Sequence, residues 1–187
     1  MDNDLFKNKY RIKSIRLKHW DYSSNGTYYI TICTKKRECF FGNIQSGKME
    51  LSPIGKIVFN EWIKTERIRK NVKLDLFVIM PDHFHAIVLI ENDNNINCPR
   101  SRDVARNVST NMSHISPKCN SLSTIVRSFK SAVSNACHKN GYHDFQWQPH
   151  FYESIIRNEN ELNRIREYII NNPINWPLNA KGQIHAL

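Results

Sequence analysis

No apolar run in these 187 residues approaches the roughly 20 that a membrane-spanning helix needs, so a transmembrane protein is not expected. The opening Met1-Asp-Asn-Asp is acidic and has no apolar stretch behind it, which argues against a secretory leader. Paired cysteine spacing is also missing. Cys33, Cys39, Cys98, Cys119 and Cys137 are odd in number and scattered, with no C-x-x-C. A disulfide framework and a cysteine-type zinc site are therefore not expected, and free thiols in a reducing cytoplasm are the simplest reading. Acid is scarce as well: 17 Asp and Glu stand against 27 Lys and Arg, a net charge of +10. Such an excess favours a polyanionic partner, most commonly nucleic acid. An anionic membrane surface would ask for a basic amphipathic helix, and none stands out. With 40% apolar residues the chain can bury a core, as one domain with at most an appendage.

Residues 1–26 read as a basic N-terminal arm followed by a turn, Asp21-Tyr-Ser-Ser-Asn-Gly26; KNKYRIKSIRLKH (7–19) has six Lys or Arg and no acid. A single domain is expected over 27–187. TYYITICTK (27–35) is β-branched and aromatic, as strands are, and RECFFG (37–42) extends or follows it. Ser52-Pro53 opens a helix, with Ile54, Ile57, Val58, Trp62 and Ile63 on its inner face. VKLDLFVIM (72–80) and HFHAIVLIE (83–91) are strands joined at Pro81-Asp82, hence an antiparallel hairpin. The second is apolar on both faces and so is expected in mid-sheet. In 92–120, twelve of 29 residues are Asn, Ser or Thr, which reads as a long exposed insertion. A second helix follows over 121–141, with Leu122, Ile125, Phe129, Val133 and Ala136 inward and Gly141 as its cap. FQWQPHFYESIIR (145–157) is a strand with an irregular start at Pro149. Asn158 and Glu161 cap a last helix that Pro173 is expected to stop at about Asn171, with an irregular tail after Trp176. Strand, helix, strand, strand, helix, strand is the ferredoxin-like βαββαβ plan, an α+β fold. Its antiparallel sheet carries helices on one face and leaves the other open, and a C-terminal helix is added.

His83 and His85 lie two apart on a strand, so their imidazoles share a face. Converging imidazoles often begin a metal site. The same tripeptide also arises by chance or around a satisfied core histidine. A third ligand would come from elsewhere, and Asn172, near the end of the last helix, qualifies. Tyr168 precedes it by one turn and shares its face. Nitrogen and oxygen ligands without thiolate suit Mg²⁺ or Mn²⁺. A metal could polarise a phosphodiester while the tyrosine oxygen attacks phosphorus, although a phenol of ordinary pKa about 10 needs activation. Tyr168 could equally pack with Ile165 and Ile169 on an ordinary amphipathic helix. Arg11, Lys13, Arg16 and Lys18 are candidate phosphate contacts, with Arg127 and Lys130 on the second helix as weaker ones. Trp20, Tyr22 and Trp147 could stack on unpaired bases or pack in the core. Asp82 could hydrogen-bond a ligand imidazole or serve only its turn.

Taken together, SIRLKHWDYSSNGTYYITICTKKRECFFG, VIMPDHFHAIV and FQWQPHFYESIIRNENELNRIREYIINNPINW resemble the REP-associated tyrosine transposases, within the single-tyrosine HUH transposases of small insertion sequences. The resemblance covers about 14–91 and 121–177 and leaves out the 92–120 insertion. His83-Phe84-His85 matches the HUH element, and Arg166-Glu-Tyr168-Ile-Ile-Asn-Asn172-Pro173 matches R-x-Y-I-x-x-N-P. The resemblance implies that Tyr168 is the nucleophile forming a 5′-phosphotyrosine link to single-stranded DNA. It implies that His83 and His85 bind a divalent cation with Asn172 as third ligand, and that the substrate carries hairpins read partly by the basic arm. It leaves monomer and homodimer both open, and it implies a cytoplasmic, nucleoid-associated protein. Two stretches depart from the family: Gln148-Pro149-His150-Phe151 replaces a Q-R-N-Y-like run, and Glu153-Ser154-Ile155-Ile156-Arg157 replaces E-H-I-I-R. Two rival readings share the fold. One is a non-catalytic, regulatory DNA-hairpin-binding protein, and the other is an RNA-binding domain with a structural metal.

Overall fold

The computed structural model describes residues 20–92 and 120–179. Arg11, Lys13, Arg16, Lys18 and nearly all of the expected insertion lie outside the described residues. Four antiparallel strands form the main sheet: β1 (Gly26–Cys33), β4 (Val72–Ile79), β5 (His83–Ile90) and β6 (Tyr152–Ile156), in the order β4-β5-β1-β6. Helix α1 (Pro53–Ile68) precedes the β4–β5 hairpin and α2 (Leu122–Lys139) links β5 to β6. This is the ferredoxin-like plan with its outer strands where that plan requires them. Helix α3 (Glu159–Asn179) completes the order.

Local signals account for most element ends. The Ser52 hydroxyl accepts from Gly55 N at 3.0 Å, and Pro53 sits where its missing N–H costs nothing. Gly55 is needed for closeness, because a Cβ there would lie 2.2 Å from the Phe41 carbonyl. Helix α2 ends at Asn140. Gly141 follows at φ +86, its N–H donating to His138 O while Tyr142 N donates to Cys137 O, a Schellman close. Asn158 Oδ1 accepts from Glu161 N at 2.9 Å to start α3, and Glu161 reaches back to Arg157 N at 3.0 Å. β5 is buried almost throughout, between β4 and β1, as its two apolar faces imply.

Of the two readings of RECFFG, the one in which it follows β1 holds, and two other expectations need correction. Residues 35–37 make a 3-10 turn, and a hairpin follows, β2 (Gly42–Gln45) with β3 (Lys48–Leu51), turning at Ser46-Gly47. The strand expected over 145–157 shrinks to Tyr152–Ile156; before it only Trp147 bridges, to Thr34. Pro173 does not end α3, which runs on to Asn179, so the segment just after Trp176 is helical. A proline forfeits its own N–H, but tertiary contacts can carry the chain past it. Here Ile174 packs over Gly47 of the hairpin turn, and the Trp176 ring lies 5.9 Å from that of His83.

α1 and α2 cover one face of the sheet. Trp62 sits at its centre, 4.8 Å from Phe84 and 4.9 Å from Phe129 between ring centroids. The other face is not left open as expected. Tyr29, Ile87 and Ile156 meet Ile165 and Ile169 of α3 there in a smaller second core. Strand alternation places His83 and His85 on this face.

Candidate functional site

The hairpin and α3 bring the paired histidines and the tyrosine together. The His83 and His85 rings lie 4.5 Å apart at 80°, and Tyr168, half-buried, sits 5.4 Å from His85 at 70°. Asn172, four residues on and 2% exposed, shares the helix face of Tyr168 because α3 continues through Pro173. Arg166 fixes α3 to the sheet edge: its Nη2 and Nε lie 2.6 and 3.1 Å from Asp75 Oδ2. Asp75 sits where the β4–β5 register shifts between Leu74 and Phe77, the kind of irregularity that re-aims a side chain.

His85 is fully buried. Its Nδ1 lies 2.7 Å from the Tyr29 hydroxyl and 2.8 Å from that of Thr31, the residue that pairs with it across β1. With Nδ1–H given to these hydroxyls, Nε2 carries the lone pair, and it has no hydrogen-bond partner. The Asn172 amide nitrogen is equally without one. Turning that carboxamide over puts its oxygen in the same place. His83 Nδ1 lies 2.6 Å from Asp82 Oδ1, which favours the Nδ1–H tautomer. Burial pushes both imidazoles below their usual range. At His83 the Asp82 carboxylate opposes this shift, and at His85 the neighbouring His83 and Arg37 add to it. Both are therefore neutral near pH 7, the form that ligates a metal. Burial also raises the Tyr29 phenol far above its ordinary value, so it keeps its proton.

These groups fit a divalent cation. Two neutral imidazoles are held by second contacts on Nδ1, and two buried polar atoms, His85 Nε2 and the Asn172 amide nitrogen, lack partners. Among the described residues no three His, Cys, Asp or Glu side chains cluster, so a third protein ligand would be an amide or phenol oxygen. That donor set suits Mg²⁺ or Mn²⁺ better than structural zinc.

The other candidates are placed differently. Arg127 is exposed on α2. Lys130 is half-buried and bonded within the chain: its Nζ donates to Gln148 O at 2.5 Å and lies 3.3 Å from Pro149 O, and partial burial pushes its pKa down to about 8. It serves first to tie the 145–149 segment to α2. Trp147 packs among Phe41, Phe129 and Phe145 and donates to Lys130 O, so it is a packing residue. Tyr22 packs against Tyr28, while Trp20 remains 41% exposed. Sequence reasoning missed Tyr29, Thr31 and Arg37. The first two were readable as hydroxyls alternating with Tyr28, Ile30 and Ile32, but only the register with β5 puts them on His85.

No family model matches the chain. Over 166 residues, 88% of this chain and 89% of the relative, it is 39% identical to a Haemophilus influenzae protein described only as uncharacterized. The chain belongs to the family of that protein. Among solved structures it is similar to a REP-associated tyrosine transposase bound to a REP hairpin. The TM-score is 0.56 at 19% identity, over 88% of this chain and 74% of that one. At this identity the likeness establishes a shared fold. Among the described residues no helix is long and apolar enough to cross a membrane.

Proposed function

We propose that this protein is a transposase-type enzyme that cuts and rejoins single-stranded, hairpin-bearing DNA through a 5′-phosphotyrosine intermediate. The observation that carries this reading is the buried, partnerless Nε2 of His85 beside the Tyr168 ring. A divalent cation held by His83, His85 and Asn172 would supply charge stabilisation for the phosphorane. Tyr168 Oη attacks phosphorus as its proton passes to water. The P–O3′ bond breaks, and the leaving oxygen takes a proton to become a 3′-hydroxyl. The phosphate stays on Tyr168 as an ester, so attack by another 3′-hydroxyl rejoins a strand without ATP. The same fold in a transposase bound to a REP hairpin supports the choice of substrate, as does the net charge of +10. The basic arm and Arg127 would hold phosphates without reading sequence.

The test is incubation with a labelled hairpin oligonucleotide and Mn²⁺. A covalent protein–DNA adduct is expected, absent from Tyr168→Phe, while His85→Ala loses cleavage and keeps most DNA affinity. Salt-dependent hairpin binding with no adduct under any metal would leave a binding protein on the same fold.

A further inference from the structure

Arg37 stands beside the histidine pair in an unusual way. It and Lys36 adopt φ of 60 and 55, the left-handed region, in a turn without glycine. Two such residues in succession persist only where the surroundings hold them. Thr34 ties that turn to Asp82: its backbone N donates to Asp82 O at 2.9 Å, and its hydroxyl lies 2.9 Å from the same oxygen. The turn so fixed aims Arg37 back at the site. Nε meets Asp82 Oδ2 at 2.8 Å, and Nη1 lies 2.9 Å from the sulfur of Cys33, the residue that pairs with His83 in the sheet. Asp82 is thus gripped on one oxygen by Arg37 while the other receives His83 Nδ1–H at 2.6 Å. Nη2 lies 3.4 Å from that same Nδ1. A guanidinium only donates, so this longer approach favours the tautomer with its hydrogen on Nε2, but less than the carboxylate at 2.6 Å favours the opposite one.

We propose that Arg37 is a positioning residue: it clamps Asp82 so that His83 is held in one orientation and one tautomer, Nε2 bearing the lone pair toward the cation. This rests on the metal-dependent reading above. A lysine at this position would keep the charge but lose the fork that reaches Asp82 and the Cys33 sulfur together.

The test uses metal-free, ¹⁵N-labelled full chain. Two-bond ¹H–¹⁵N correlations report the His83 tautomer, and electron paramagnetic resonance reports Mn²⁺ affinity. Wild type should show a single Nδ1–H tautomer. Arg37→Gln should show a mixture and bind Mn²⁺ about 10-fold more weakly or worse, the usual consequence of losing an outer partner of a ligand. Arg37→Lys should fall between them. If Arg37→Gln does not fold, Arg37→Lys alone must show the mixing. An unchanged tautomer with wild-type Mn²⁺ affinity overturns the proposal, even if DNA cleavage falls, because Arg37 would then act on substrate. Failure of the wild type to bind Mn²⁺ would instead strike at the proposed function, and the tautomer comparison would still decide the role of Arg37.

Discussion

Toward α1 and α2, strands β1 and β5 present Tyr28, Ile30, Ile32, Phe84, Ala86 and Val88; toward α3 the same strands present Tyr29, Thr31, His83, His85 and Ile87. Both faces are closely covered, yet their chemistry differs. The first interlocks aromatic rings around Trp62. Among the described residues three buried side-chain polar atoms lack partners; one, Trp62 Nε1, is on that face, and the other two are His85 Nε2 and Asn172 Nδ2. A buried, unsatisfied polar atom costs stability, so two of them on the side that holds Tyr168 mark a place kept for something other than folding.

The comparison breaks most sharply with one substitution on each side. Trp62→Ala should lower unfolding free energy by about 3–5 kcal/mol, as loss of a central aromatic does, while the remaining folded protein still forms the DNA adduct. Tyr168→Phe should do the reverse, abolishing the adduct and leaving stability within about 0.5 kcal/mol. Urea titration and gel analysis of the adduct read both. If Trp62→Ala removed the adduct from demonstrably folded protein, the two faces would not be separable.

A smaller effect separates stability from function on one residue. Asn172→Leu replaces a partnerless buried amide with an apolar group of similar size, and should raise metal-free stability by about 1 kcal/mol while weakening Mn²⁺ binding. Loss of stability instead would mean that the amide has a structural role.

The smallest effect is pH-dependent and lies on the helical side, at Lys130. Its folded pKa, about 8, is below the ordinary lysine value of 10.5, so between these pH values the unfolded chain binds more protons. Its contribution to stability therefore rises with pH across that window. Lys130→Met should remove this increment, which the difference between wild-type and variant urea midpoints at pH 8 and pH 10 measures. An identical pH response in both proteins would show that the amine is not shifted in the folded state.

Much of this was legible locally. Ser52-Pro53, Gly141 and the Asn158–Glu161 pair act within one helical turn, and the two-residue spacing of His83 and His85 fixes their common face whatever surrounds them. Less legible was anything that depends on distant partners. Pro173 reads as a helix stop until Gly47 and His83 are seen to receive Ile174 and Trp176, and only that continuation places Asn172 one turn beyond Tyr168 on a regular helix. Lys130 reads as a surface charge until the 145–149 segment supplies its carbonyls.

From residue order alone came the fold plan, the candidate nucleophile, the imidazole pair and the basic character, because alternation, capping and charge are properties of short stretches. Tertiary structure alone decided which face α3 covers, that the Tyr168 ring approaches His85, and that Tyr29, Thr31, Asp82 and Arg37 surround the imidazoles. The reason is geometric: Tyr29, Thr31 and Arg37 reach the imidazoles from 46 to 56 residues away, and only sheet register brings such positions within hydrogen-bond distance.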